Sequence, residues 1–258
     1  MDYKEIIFEK DANNVCTITI NRPERMNTFT PTMMAEFEHA WKRVATEDDI
    51  HAVVLRAAPS KAFCTGVDVK IGLEDSENIW SKRDPGELLS PKANKVWKPV
   101  ICAVHGLACG GAFYWINEAD IVICSEDAEF FDPHVTFGMV AALEPIGARY
   151  KMPLGDVLRM TLMGNNERIS AETALRIGLV SEVTSRDELW GRADELAKII
   201  AEKPAAAIQG SVRAIWESLD EFRTAALARG LSYCDIGNPI GMAQVDRDKI
   251  NTPDYKVR

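Results

Sequence analysis

The spacing of apolar residues along the chain predicts its elements. Short apolar or β-branched runs at residues 3–9, 15–20, 52–56, 100–104, 121–124 and 179–183 predict strands. Between residues 31 and 46, Met34, Phe37, Trp41 and Val44 recur at helical spacing, and Pro31 suits a first helical turn. Beyond about residue 187, helical segments are predicted at 187–201, 204–217 and 221–233, and no strand follows them.

This order of elements predicts an α/β fold. Buried-type strands separated by helices and loops indicate a largely parallel sheet that is covered by helices. Residues 1–190 are expected to form the core of the protein. Residues 191–258 are expected to form a helical C-terminal region that packs on that core or on a partner subunit.

Composition narrows the classes of function. The chain has 258 residues, 47% of them hydrophobic, and a formal net charge of −9. The apolar content suits a folded core, and the acidic balance argues against binding nucleic acid or an anionic membrane. No apolar run reaches the ~20 residues that span a bilayer, and residues 1–8 do not resemble a signal peptide. We therefore expect no membrane partner and a cytoplasmic location.

The six cysteines show no pattern of metal ligands. They lack paired Cys-x-x-Cys spacing, and five of them lie among apolar or small neighbours. This pattern is typical of reduced, buried thiols in a reducing compartment. The sequence therefore predicts no metal site.

The segment 61–70 follows a predicted strand and could present backbone amides to a ligand. Gly66 lets the backbone turn tightly, and Asp68 is placed to cap a helix that starts near Val69. Free N–H groups at such a turn suit an anionic oxygen. Taken alone, this segment is better explained as a plain loop.

The segment 105–113 offers the same chemistry after the strand at 100–104. Gly110 and Gly111 open a predicted helix at 111–118, although the glycines could also serve only close packing. Because both segments follow parallel-type strands, they are expected at one edge of the sheet. Two amides that converge there would form an oxyanion hole.

Several motifs, taken in order, resemble those of the crotonase (enoyl-CoA hydratase/isomerase) superfamily. They lie at 20–27, with the pattern Asn-Arg-Pro-x-x-x-Asn, and at 63–68, 99–106, 109–111, 119–123, 128–130 and 174–180. The resemblance implies a spiral of ββα units and a coenzyme A thioester as the ligand, with no separate cofactor. It also implies homotrimers or homohexamers, and a thioester carbonyl held by the N–H groups of Val67 and Gly111.

The resemblance also implies a set of residues around the coenzyme A part of the ligand. Lys70 and the two arginines are expected near its phosphates or adenine, although each could be a solvated surface charge. The full set is Arg22, Arg25, Phe63, Gly66, Asp68, Lys70 and Gly110. The stretch 71–91 is expected to shape the specificity for the acyl group.

The chain departs from the superfamily at its two catalytic glutamates. By register, Tyr114 and His134 occupy those positions. A tyrosine with a pKa near 10 is a poor base at neutral pH, whereas histidine titrates in the right range. His134 is therefore the leading acid/base candidate, and Glu144 is the second.

Each of these residues also has a structural interpretation. His134 could merely shape the pocket, and Glu144 could cap the helix that Pro145 starts. Tyr114 could donate a hydrogen bond to the substrate or only fill the space of a glutamate, and Asp132 is expected to be a loop or capping residue.

Three functions remain open from the sequence. The first is hydration or isomerisation of an enoyl-CoA through a stabilised enolate. The second is hydrolysis or retro-Claisen C–C cleavage of a CoA thioester, which could use the same oxyanion hole. The third is acyl-CoA binding without catalysis.

Overall fold

The computed structural model describes residues 1–72, 78–81 and 84–246. The chain divides into two compact units, Met1–Ala201 and Glu202–Arg258. Within the described ranges, the helices are all too short or too polar to cross a bilayer.

Two sheets form the framework of the first unit. The larger sheet contains β1 (Ile6–Lys10), β2 (Val15–Ile20), β3 (Ala52–Ala57), β5 (Val100–Val104), β7 (Ile121–Ser125) and β10 (Glu182–Thr184), in that spatial order. The smaller sheet contains β4 (Ala62–Cys64), β6 (Leu107–Cys109), β8 (Glu129–Phe131) and β9 (Ile169–Ser170). Neighbouring strands are parallel, except for the pairs β1–β2 and β8–β9.

The chain alternates between the two sheets. After β3 it enters β4, after β5 it enters β6, and after β7 it enters β8. The helices of this unit are α1 (Pro31–Thr46), α2 (Phe113–Glu118), α3 (Leu143–Ala148), α4 (Leu154–Met163), α5 (Ala171–Arg176) and α6 (Leu189–Ala201). This arrangement, in which β5, β6 and α2 form one ββα turn, confirms the predicted α/β class and spiral.

Trp115 of α2 lies at the centre of the core. Its side chain is fully buried, and its ring contacts Phe29, Phe37 and Phe63 at centroid distances of 6.2, 5.0 and 6.3 Å. Phe37 belongs to α1, and Phe63 belongs to β4. This aromatic cluster therefore joins α1 and α2 to β4, the strand that precedes the Gly66 turn.

The boundaries of some elements differ from those predicted. The expected helix near Val69 is a turn, because the Asp68 side chain accepts the N–H of Lys70 at 3.1 Å and closes a local ring instead. The expected helix at 111–118 begins with a 3-10 turn, Gly110–Ala112, and becomes α-helical at Phe113.

Two further differences concern the C-terminal third of the chain. The strand predicted at 179–183 is shorter and later, as β10, because Leu179 and Val180 are buried by packing rather than by strand pairing. The last helix, expected at 221–233, runs from Arg223 to Ala243 and passes through Pro239.

The second unit contains α7 (Ala205–Glu217) and α8 (Arg223–Ala243). The domain boundary expected at residue 190 falls inside α6, whose buried residues Leu189, Ala193 and Ala197 pack with β3 and β5 of the larger sheet. In the structure, α6 therefore belongs to the first unit.

Asn27 of the Asn-Arg-Pro-x-x-x-Asn motif ties the start of β4 to the loop after β2. Its buried amide donates to the carbonyls of Ala58 and Ala62 at 3.1 and 2.9 Å, and its Oδ1 accepts the N–H of Arg22 at 3.0 Å. Its φ of 55° lies in the left-handed region, where asparagine is tolerated. One side chain thus satisfies three buried backbone groups.

We expect Asn27→Ala to lower the free energy of unfolding by about 2–4 kcal/mol, because it leaves those groups unpaired and strains the backbone. Urea denaturation followed by circular dichroism measures the loss. Asn13→Ala, at an exposed position, is the control and should change stability by less than about 0.5 kcal/mol. Equal stabilities of the two variants would contradict this account of the motif.

Candidate active site

A cavity of about 400 Å³ opens between the two glycine turns. Seven of the residues selected from the sequence line it together: Gly66, Val67, Gly110, Gly111, Tyr114, His134 and Glu144. The 3-10 turn His134–Phe137 and the start of α3 close the opposite side. The structure thus brings the proposed amides and acid/base candidates to one place.

The backbone around Val67 is paired on both sides. Phe29 donates its N–H to the carbonyl of Gly66 at 3.0 Å and accepts the N–H of Asp68 at 2.9 Å. The N–H of Val67, which lies between these two bonds, donates to no acceptor in the described residues. The pairing with Phe29 therefore leaves this amide available to a ligand.

The N–H of Gly111 is likewise unpaired among the described residues, since Gly111 lies in the 3-10 turn Gly110–Ala112, whose first N–H groups have no acceptor within the turn. The two turns touch closely here. A Cβ on Gly66 would lie 3.3 Å from the Gly111 nitrogen, and one on Gly111 would lie 2.4 Å from the Phe29 ring. Only glycine fits at 111 without displacing that ring, and Gly66 also has a φ of 84°.

Arg22 and Asp68 form a buried ion pair beneath the Val67 turn. The guanidinium Nη2 lies 3.0 Å from Asp68 Oδ2, and Nε lies 3.3 Å from Glu5 Oε1. Burial by itself would raise the pKa of Asp68, but the hydrogen bonds from Arg22 and Lys70 outweigh it and hold this pKa below its usual value. In the structure, Arg22 and Asp68 therefore stabilise the Val67 turn from its buried side.

The other residues expected near coenzyme A lie in two environments. Arg25 and Lys70 are exposed on the surface segments beside this ion pair. Phe63 is fully buried and packs edge-on against Trp115, behind the cavity wall. Of the residues expected near coenzyme A, Arg25 and Lys70 are therefore the cations that solvent can reach.

Tyr114 is held away from acid/base chemistry. Its hydroxyl donates to Asp84 Oδ1 at 2.8 Å, and a Cβ on Gly86 would overlap its ring, so Gly86 makes room for it. Burial, with help from the nearby Glu144 and Asp84 carboxylates, raises the pKa of Tyr114 far above its usual value. The side chain stays neutral at working pH and shapes the cavity.

His134 is oriented by the carboxylate two residues before it. Asp132 Oδ1 accepts the backbone N–H of His134 at 2.9 Å and lies 2.8 Å from the ring Nδ1. The hydrogen bond to the Asp132 carboxylate raises the pKa of His134, and partial burial opposes this rise. The protonated ring is therefore stabilised relative to that of a free histidine.

Glu144 faces His134 from the first turn of α3. Its carboxyl Oε1 lies 3.9 Å from His134 Nε2, and 7% of the residue is exposed. Burial raises the pKa of Glu144 above its usual value. Two groups with raised pKa values thus face each other beside the unpaired amides, an arrangement typical of acid/base sites.

Asp132, His134 and Glu144 also place possible metal-ligand atoms within 4.8 Å of one another. The 2.8 Å between Nδ1 and Oδ1 is a hydrogen-bond distance. Two ligands on one tetrahedral zinc ion lie roughly 3.3–3.5 Å apart, given metal–ligand bonds of about 2.0–2.2 Å. The geometry therefore favours a hydrogen-bonded acid/base group over a metal centre.

Apolar side chains surround the mouth of the cavity. Val69, Phe137, Met139, Val140 and Leu143 line it and are largely exposed. Such a rim suits the acyl part of a ligand. The stretch 71–91, expected to shape acyl specificity, lies partly outside the described residues, at 73–77 and 82–83.

Two residues that help to form the site, Phe29 and Asp132, are not predicted as site residues from the sequence. Phe29 pairs with Val67 across a long sequence separation and carries no motif signal of its own. Asp132 was interpreted as a loop or capping residue, and it does accept the His134 N–H. The i, i+2 spacing of Asp and His across a proline was the signal that could have indicated its second bond.

Comparisons with known proteins agree on one family. Residues 10–232 match the family model described as enoyl-CoA hydratase/isomerase. The chain is 36% identical to (E)-benzylidenesuccinyl-CoA hydratase of Thauera aromatica, covering 87% of this chain and 86% of that protein. It is 30% identical to 1,2-epoxyphenylacetyl-CoA isomerase of Escherichia coli, covering 78% of each chain.

Solved structures give the same result. The crystal structure of an enoyl-CoA hydratase/isomerase from Mycobacterium paratuberculosis superposes with a TM-score of 0.83 at 34% identity. The match covers 91% of this chain and 90% of the other. Similarity of sequence and of fold therefore extends over nearly the whole length.

We expect Gly111→Ala to lower turnover of an enoyl-CoA by about 10²–10³-fold, because the added Cβ displaces Phe29 and misaligns both amides. Initial-rate kinetics measure the effect. Gly191→Ala is the matched control, since nothing lies within 4 Å of its new Cβ, and it should keep wild-type turnover. Similar rates for both variants would contradict the assigned oxyanion hole.

Proposed function

This chain belongs to the enoyl-CoA hydratase/isomerase family, and we propose that it adds water to the double bond of an α,β-unsaturated coenzyme A thioester. The observation that carries the proposal is the pair of acid/base groups, His134 and Glu144, facing each other 3.9 Å apart beside two unpaired amides. Both usual glutamates are replaced in this proposal, by Tyr114 and His134.

The spacing of the pair suits one water molecule. An N···O distance of 3.9 Å is too long for a direct hydrogen bond. A water about 2.8 Å from each atom would subtend an angle of roughly 90° between them, which a water can accept. Such a water would donate to the Glu144 carboxylate and accept from His134 Nε2–H.

The proton transfers follow from the charges of the two groups. Glu144 takes a proton from the water as its oxygen bonds to the β-carbon of the substrate. The electron pair of the double bond moves toward the thioester oxygen, which the amides of Val67 and Gly111 stabilise. His134 gives its Nε2 proton to the α-carbon, and a later water returns the proton from Glu144 to His134.

The relatives and the cavity support an apolar acyl group. One relative at 36% identity is named a hydratase of benzylidenesuccinyl-CoA, and another at 30% is named an isomerase of 1,2-epoxyphenylacetyl-CoA. The rim formed by Phe137, Met139, Val140 and Leu143 suits an aromatic or branched chain. Isomerisation remains the nearest alternative, because it needs the same oxyanion hole but no bound water.

The proposal also covers the binding of coenzyme A, the cellular location and the oligomeric state. Coenzyme A enters as part of the substrate, with Lys70 and Arg25 placed to meet its phosphates. We propose a cytoplasmic homotrimer or homohexamer in which the helical region after residue 190 contributes to subunit packing.

The proposal predicts a bell-shaped dependence of kcat on pH. Because the pKa of Glu144 is raised, activity falls at mildly acid pH as this base becomes protonated. Because the pKa of His134 is also raised, the alkaline limb lies at a higher pH than a free imidazole would give, as the imidazolium loses its proton. Stopped-time assays of enoyl-CoA hydration across pH 5–10 measure both limbs.

Two substitutions test which residue gives rise to each limb of the pH profile of kcat. His134→Gln and Glu144→Gln should each lower kcat by about 10²-fold or more, with KM changed less than about threefold. His39→Gln and Glu126→Gln, which alter the same residue types away from the cavity, should leave kcat unchanged. Wild-type kcat in either test variant would overturn the acid/base assignment, and tight thioester binding without turnover in the wild type would indicate a non-catalytic binder.

A further inference from the structure

The carboxylate of Asp132 makes its hydrogen bonds to a single residue, His134. It follows β8 directly and precedes Pro133, and its Oδ1 meets both the backbone N–H and the ring Nδ1 of His134, at 2.9 and 2.8 Å. The residue is fully buried. Among the described residues, its Oδ2 has no hydrogen-bond partner, and its only ion pair is the one with His134.

A buried carboxylate that serves only stability would be expected to have more partners. Burying a charge costs free energy unless it is paired and hydrogen-bonded. The Arg22–Asp68 pair beneath the Val67 turn shows the fuller satisfaction of such a group, with one oxygen paired to Arg22 and the other accepting Lys70 N–H. Asp132 keeps one oxygen unsatisfied and directs the other at a histidine ring.

The contact fixes which nitrogen of the ring faces the cavity. With Nδ1–H donating to Asp132, Nε2 points toward Glu144 Oε1, 3.9 Å away. The ring edge also lies close to Gly110, since a Cβ there would make an ordinary van der Waals contact with His134 Cε1 at 3.7 Å. The ring is thus held on one side by a carboxylate and bounded on another by glycine.

The remaining groups around the pair are few. Glu144 faces it from α3, Asp84 lies beyond Glu144, and Cys109 approaches from β6. Burial raises the pKa of the Cys109 thiol to about 12, so it stays neutral. Within the described ranges, Asp132 therefore makes the hydrogen bond to the His134 ring, and Glu144 Oε1 lies 3.9 Å from its Nε2.

We propose that Asp132 is a positioning residue that accepts the Nδ1–H of His134, so that the Nε2–H of the imidazolium is directed at the water and the substrate α-carbon. The neutral ring left after proton transfer then keeps its proton on Nδ1. This inference rests on the proposed function and deepens it, because it names the group through which the replacement of a glutamate by histidine becomes productive. Without a partner for Nδ1, the neutral ring could adopt either tautomer, and its orientation would not be fixed. The hydrogen bond to Asp132 favours one tautomer and one ring orientation.

The test uses Asp132→Asn in the full-length protein. The amide keeps the shape of the side chain, but its NH₂ group can turn toward Nδ1 and favour the other tautomer. We expect kcat to fall by about 10²-fold with KM changed less than about threefold, and the alkaline limb of the pH profile to move to lower pH. Asp127→Asn, on the preceding turn and bonded to Ser125 and Arg186, is the control and should change neither value.

Nitrogen-15 NMR of the His134 ring gives a readout independent of turnover. In the wild type, the ring should titrate above the usual histidine range and carry its proton on Nδ1 when neutral, whereas Asp132→Asn should lower its pKa and change the tautomer. A wild-type ring that titrates at or below about 6.5, or a variant ring with unchanged tautomer and pKa, would overturn the inference even if kcat fell.

The same spectra separate this inference from the proposed function. If His134→Gln keeps wild-type turnover, the acid/base assignment fails, whereas the ring tautomer still reports whether Asp132 orients the histidine. Because the wild-type titration needs no substitution, the test also holds if Asp132→Asn folds poorly.

Discussion

The structure depends on keeping two backbone amides, those of Val67 and Gly111, out of internal hydrogen bonds. A buried N–H without a partner is costly, so such groups persist only where the surrounding structure leaves no alternative acceptor. Pairing with Phe29 on both sides of Val67, and the place of Gly111 in the 3-10 turn Gly110–Ala112, meet this condition. The parallel strands that end at both turns bring the amides to one cavity.

The opposite wall of the cavity carries the two acid/base groups, His134 and Glu144, which face each other. Asp132 stabilises the protonated form of His134, whereas burial makes Glu144 a stronger base than an exposed glutamate. The first effect favours the imidazolium form of His134, which donates a proton. The second makes the Glu144 carboxylate a more strongly basic acceptor when it is ionised.

The sequence predicted much of this arrangement. Contacts between residues that lie far apart along the chain could not be predicted from local patterns. Gly66 and Gly111 follow clear apolar strands, so their turns and the α/β class could be inferred from local pattern. The burial of Arg22 against Asp68 could not, because the two residues are 46 positions apart and an arginine in a motif suits an exposed ligand contact equally well. The short strands of the smaller sheet escaped individual prediction because two or three residues carry no period.

The most direct test is mass spectrometry of enoyl-CoA and β-ketoacyl-CoA thioesters incubated with the protein in heavy-oxygen, deuterated water. Addition of a water held by His134 and Glu144 predicts heavy oxygen at the β-carbon and one deuterium at the α-carbon of the enoyl substrates. Deuterium at the γ-carbon without oxygen would instead indicate isomerisation, and a labelled free acid would indicate hydrolysis. Either result without β-oxygen label, on thioesters that the protein binds, would contradict hydration.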